Sequence, residues 1–207
     1  MIKNNYFSTP IYYEEKPEWV KKVDKACSPY LKQAKKYNSN IIKKNKTDYG
    51  IVHHSNDDPL SDSELQELRN YIGQKSTELL IDMGYSLNDS TLHFTNFWVQ
   101  EFPKDGGGRH SAHVHANNHI SGFYYLSTEG SYPIIYDPRI AKTMIDLPQR
   151  DSSQITLASP QITWGVQPGT LIIMPAYLVH EYIQHKKGCF RFIHFNIQAV
   201  NKKHSKG

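Results

Sequence analysis

Residues 113–126 read HVHANNHISGFYYL, two short extended segments on either side of a polar turn. Side chains on a strand alternate between faces, so His113 and His115 point the same way. Two imidazoles at that spacing make a metal-ligand pair by geometry. A third candidate, His180, ends PGTLIIMPAYLVH, and Arg191 follows it in CFRFIHFNI. Working outward from this stretch, strands are expected at 92–102, 111–116, 119–127, 132–136, 154–157, 161–166, 170–174, 178–184 and 189–199. Gly and Pro punctuate them, as at Pro168-Gly169. Many short strands without alternating helices mean an antiparallel sandwich or barrel.

Upstream of residue 90 the pattern is helical. Residues 1–13 form an extended lead-in suited to an edge strand. Pro17 stands where a first helical turn tolerates it. Trp19, Val20, Val23, Cys27, Tyr30, Leu31 and Ala34 recur at helical spacing, and Pro29 is expected to kink or divide that helix. Residues 38–58 are polar with little periodicity and read as an irregular arm, with His53 and His54 on its surface. A second helix is expected to start at a Ser61/Glu64 capping box, to bury Leu65, Leu68, Ile72, Leu79 and Met83, and to stop at Gly84. The chain reads as one domain: 1–90 with the extended segment and helices, 91–200 as the β core, and 201–207 as a basic tail.

The formal charge is only +4, and much of it sits in local lysine runs such as Lys43, Lys44 and Lys46 and the tail Lys202, Lys203 and Lys206. Such runs are solvated loops and ends, with no clear nucleic-acid signal. The two cysteines, Cys27 and Cys189, are far apart and form no C-x-x-C pair, so neither a disulfide framework nor a thiolate zinc site follows. No apolar run approaches a membrane span, and the N-terminus lacks a signal-peptide core. A reducing, cytoplasmic setting is expected.

Two His from one strand and one from a distant strand leave coordination positions open, which marks a catalytic centre more than a structural one. Imidazoles suit iron, zinc, copper or nickel. A buried Arg191 needs an anionic partner, and a carboxylate held bidentately is the natural one; an internal salt bridge is the alternative. A metal beside a carboxylate receptor suits a co-substrate that chelates at one end and carries a free carboxylate at the other, as 2-oxoglutarate does.

HVHANNHISGFYYL, DPR (137–139), PGTLIIMPAYLVHEY and RFIHFN, in that order, resemble the 2-oxoglutarate/Fe(II)-dependent oxygenases. The resemblance is strong from about Asn96 to Asn196. It implies a double-stranded β-helix, a mainly β jelly roll of cupin-like form, with N-terminal helices packed on one sheet. It implies Fe(II) held by His113, His115 and His180, with Arg191 and Tyr125 gripping the far carboxylate of 2-oxoglutarate. It also implies hydroxylation of a C–H bond in a small molecule or protein side chain, with release of succinate and carbon dioxide; a homodimer is an expected assembly. Ser121, Gly122 and Asp137-Pro138-Arg139 are read as architectural. His115 departs from the superfamily, which usually has Asp or Glu there; Asp105, His110 and His119 are the substitutes should His115 not ligate. Phe97, Trp98 and Phe102 suit a core or a substrate wall. The rival readings are a cupin-type metal enzyme and a non-catalytic binding module on the same fold.

Overall fold

The computed structural model describes residues 2, 7–145, 147–163 and 165–202; the expected tail lies outside them from Lys203 onward. The order of elements is β1 (Tyr12–Glu15), α1 (Val20–Asn45), β2 (His53–His54), α2 (Gln66–Asp82), β3 (Ser90–Glu101), β4 (Arg109–His113), β5 (Ile120–Thr128), β6 (Pro133–Tyr136), β7 (Gln161–Thr163), β8 (Thr170–Pro175), β9 (His180–Ile183) and β10 (Phe190–Asn201). Two sheets result, one ordered β1-β8-β5-β10-β3-β2 and one ordered β4-β9-β6-β7. Every strand pair is antiparallel. This is the expected double-stranded β-helix, with both helices on the outer face of the larger sheet.

The larger sheet is apolar on both faces, which divides the core in two. Ile193, Phe195 and Ile197 of β10 pack with Phe97 and Val99 against Val23, Cys27, Leu31, Leu68, Ile72 and Leu79 of the helices. Phe190 and Phe192, one step out of phase, pack between the sheets with Phe102, Phe123, Tyr125, Ile172, Met174, Leu178 and Tyr182. Gly122 belongs to the architecture, because a Cβ there would lie 2.3 Å from the carbonyl oxygen of Ile172 on β8 and 2.3 Å from the ring of Phe195 on β10.

Several local expectations are corrected. α1 runs unbroken through Pro29 to Asn45, because its buried stripe against the sheet outweighs the hydrogen bond that Pro29 cannot donate. The irregular arm is therefore shorter than expected, and within it His53 pairs across from Glu101 as part of β2 and is buried. The capping box does not form. Asp62 caps the turn ahead of α2, accepting from Glu64 N–H at 2.9 Å, while Ser61 Oγ donates to the Asp58 carbonyl. Residues 154–157 are not a strand. Gly84 ends α2 as expected, at φ +90° with its N–H on the Ile81 carbonyl. No helix is long and apolar enough to cross a membrane among the described residues.

Candidate metal centre

β4 and β9 are neighbours, and their register places His113 directly across from His180. Cross-strand partners share a face, with Cβ atoms about 5 Å apart. Chain direction carries on beyond β4: Val114 turns outward at 44% exposure, and His115 turns back in, its N–H held by the Ala176 carbonyl at 3.1 Å. Ligand nitrogens of His113, His115 and His180 lie within 4.8 Å of one another. Among the described residues this is the one group of three or more His, Cys, Asp or Glu that converges in this way. The expected metal triad is thus brought together by geometry.

The rings are oriented by their second nitrogens. His113 Nδ1 donates to the Ser111 carbonyl at 2.6 Å, and His180 Nδ1 donates to the Leu178 carbonyl at 3.0 Å. Both therefore turn a bare Nε2 to the centre, the arrangement that metal-bound imidazoles need. Open positions and an all-nitrogen donor set fit a divalent transition metal, Fe(II) included.

Two further imidazoles border the triad. His194, on β10, is buried, stacks on Trp98 at 4.2 Å between centroids and places Nε2 3.0 Å from His115 Nε2. His110 lies 6.0 Å from His113, centroid to centroid. The other proposed substitutes stand apart. Asp105 is tied to Thr47 at 2.7 Å, and exposed His119 accepts from Ala199 N–H at 3.0 Å. The aromatic wall divides: Trp98 faces the centre through His194, Phe102 lies between the sheets and Phe97 lies under the helices. His194 was legible in RFIHFNI, since period two puts it on the face of Phe192.

Burial lowers the pKa of His115 and of His110 to about 4 and that of His180 to about 3, with neighbouring imidazoles adding to the shift. These groups are neutral at neutral pH, as ligands must be. In the unfolded chain they protonate near pH 6.5. Folded values lie below unfolded ones, so the unfolded state takes up protons first as pH falls. The metal-free protein is expected to lose stability from about pH 6.5 down to about pH 4 for His110 and His115 and to about pH 3 for His180, by up to about 1.4 kcal/mol per pH unit for each such imidazole. Urea unfolding across that range measures the slope, and a flat profile would contradict the burial of these rings.

Arg191 is not brought to the centre, which corrects the expectation for it. Its neighbours Phe190 and Phe192 point between the sheets, so Arg191 points to the helices. There its Nε donates to Glu101 at 2.8 Å and its Nη1 pairs with Asp24 of α1. Glu101, 1% exposed, is also paired with Lys35. Tyr125 does reach the interior, where it is fully buried with its hydroxyl 2.6 Å from that of Tyr182. Asp137-Pro138-Arg139 closes on itself, Asp137 accepting from Arg139 N–H and Nε–H at 2.9 Å.

Residues 96–195 match the family described as "Putative 2OG-Fe(II) oxygenase". No curated protein matches the chain in sequence. Among solved structures it is similar to the non-haem alpha-ketoglutarate-dependent carbocyclase SnoK of nogalamycin biosynthesis (10% identity, TM-score 0.59, 97% of this chain and 85% of that one). It is also similar to a Pseudomonas putida prolyl-4-hydroxylase (8% identity, TM-score 0.58, 92% and 94%). A third similar structure is the epimerase SnoN in complex with Fe3+, alpha ketoglutarate and nogalamycin RO (11% identity, TM-score 0.56, 94% and 82%). At these identities the likeness is one of fold. Over residues 96–195, just under half of its length, the chain matches the family described as a putative 2OG-Fe(II) oxygenase, and its double-stranded β-helix is the fold it shares with these structures.

Proposed function

We propose that the protein is a non-haem Fe(II)- and 2-oxoglutarate-dependent dioxygenase that hydroxylates a C–H bond of a small molecule or a protein side chain. The observation that carries this is the convergence of His113, His115 and His180 in the matched segment. Iron, when bound, supplies the redox chemistry that couples decarboxylation of 2-oxoglutarate to substrate oxidation. His113 and His180 present bare nitrogens to it. Phe123 lies edge-on to His180 at 5.3 Å and to His194 at 5.0 Å, and Trp98 stacks on His194, so aromatic rings border the centre on that side. The far carboxylate of 2-oxoglutarate cannot use Arg191. Among the described residues the one buried cationic side chain is Arg69, on α2. The hydroxyls of Tyr125 and Tyr182 are the donors that the aromatic interior offers to that carboxylate. The two free cysteines and a ferrous centre suit a reducing, cytoplasmic setting, and a homodimer is the proposed assembly.

Anaerobic titration with Fe(II) and 2-oxoglutarate, followed by admission of air, tests the reading. About one Fe(II) per chain and release of succinate are expected, with more succinate when the right substrate is present. Iron binding with no succinate across a broad panel would leave a metal-binding module on an oxygenase fold.

A further inference from the structure

The three imidazoles of the centre do not carry their ring protons alike. His113 and His180 each face a backbone carbonyl through Nδ1, and a carbonyl only accepts. His115 has a different neighbour: its Nδ1 lies 3.2 Å from the amide nitrogen of Asn196. An amide NH2 only donates, so His115 Nδ1 accepts and its proton sits on Nε2. An imidazole protonated on Nε2 has no lone pair there for a metal.

Amide direction in a chain of asparagines is ambiguous unless something at one end sets it. Here Asp57 does. Its Oδ1 accepts from Phe97 N–H at 2.9 Å, and its Oδ2 lies 3.2 Å from Asn96 Nδ2. A carboxylate only accepts, so Asn96 must turn its NH2 to Asp57 and its oxygen to Asn196. Asn196 must then turn its own NH2 to Asn96 Oδ1, at 3.2 Å, and the same group reaches His115. Beyond the ring, His115 Nε2 lies 3.0 Å from His194 Nε2 and 3.2 Å from His180 Nε2, and a bare nitrogen on either can receive the proton's hydrogen bond. His194 is held in place by Ser121 Oγ at 3.2 Å. Two buried atoms of this network are left without a partner, Asn196 Oδ1 and His194 Nδ1. Reversing the Asn196 amide would aim that oxygen at a His115 Nδ1–H and bare the Nε2.

We infer that Asp57, acting through Asn96 and Asn196, holds His115 in the tautomer that does not ligate, so that Asn196 is a positioning residue deciding whether the centre has two imidazole ligands or three. The inference rests on the reading of this site as a metal centre, and it concerns the one position where the superfamily usually has a carboxylate.

Asp57→Asn tests it. The new side chain keeps an oxygen for Phe97 N–H but offers an NH2 where Oδ2 was. Each amide along the chain must then reverse, and His115 moves its proton to Nδ1. Imidazole 15N NMR of the metal-free proteins is expected to show His115 as Nε2–H in the wild type and Nδ1–H in the variant. Anaerobic Fe(II) titration is expected to show affinity raised about tenfold, the lower end of what such outer partners command. Loss of a negative charge works the other way on a cation, so the sign separates tautomer from field. Asn196→Asp, which accepts from Nδ1–H directly, is the second variant, with the same NMR change expected. A wild-type His115 already carrying Nδ1–H overturns the inference, and so does an unchanged or lowered affinity in Asp57→Asn. If no form binds Fe(II), the metal reading fails as well, whereas a wrong tautomer alone leaves that reading intact.

Discussion

Arg191→Ala is expected to lower the stability of the protein by about 3 kcal/mol and to leave 2-oxoglutarate affinity unchanged. Glu101, against which Arg191 is held, is 1% exposed. Burial by itself would raise its pKa, yet hydrogen bonds from Lys35 and Arg191 hold it below the usual carboxylate range. Arg191, itself 19% exposed, is held above its ordinary value by Asp24 and Glu101 against the cost of burial. Taking away one member of a buried pair leaves a charge whose desolvation is no longer offset, which costs about 3–5 kcal/mol. Lys35 remains on Glu101, so the lower end applies. For a chain of this size that is a fall of about 6–12 °C in Tm.

The pH dependence has a definite sign. In the wild type the folded pKa of Glu101 lies below the unfolded one, so its stabilisation is present above about pH 4.3 and lost as pH falls through the folded value. In the variant the balance tips towards burial and the folded pKa rises. The variant's deficit should then shrink as pH falls from 7 and Glu101 takes up a proton. Arg191→Met combined with Glu101→Gln removes both charges and should recover part of the loss. Thermal unfolding at several pH values, with 2-oxoglutarate titration in parallel, makes the measurement. Weakened co-substrate binding at unchanged stability would show that the guanidinium serves the site and not the packing of α1 on the sheet.

His180→Ala is expected to lower Fe(II) affinity by more than about a hundredfold, and His113→Ala to do the same. Removing an outer hydrogen-bond partner of a metal ligand already costs about 10–100-fold, and here a ligand itself is lost from a set of two or three. His180 is 1% exposed and its Nδ1 is pinned by the Leu178 carbonyl, so no solvent-borne group can take its place in the same geometry. The variant should still fold. Burial holds the His180 pKa down to about 3, and deleting a ring that is costly to bury offsets part of the cavity left behind. Unfolding midpoints of the metal-free proteins separate loss of fold from loss of ligand. Full metal occupancy in both variants would place the centre elsewhere.

How much of this was legible beforehand differs from residue to residue. His113 and His115 follow from period two alone, since any strand through HVH puts both rings on one side. The chain's Gly/Pro-punctuated short strands made an antiparallel sandwich the economical fold, and the ordered motifs from Asn96 to Asn196 pointed to the oxygenases. What period two cannot say is which face of a strand looks inward. In FRFIHFNI large apolar groups occupy both faces, because β10 lies between a helix layer and a second sheet and is buried on each side. The parity that sends His194 to the centre sends Arg191 to the helices, and only the packing of α1 against the larger sheet decides that. The tautomer of His115 lies further from the sequence. It depends on Asp57, Asn96 and Asn196, which meet only when β3 and β10 pair and the turn before α2 folds against them. A hydrogen-bond chain has a direction set by its accept-only end, and that end is contributed by a residue some forty positions from the next link. The residue types were written in the chain; the order in which their protons point came from the tertiary fold.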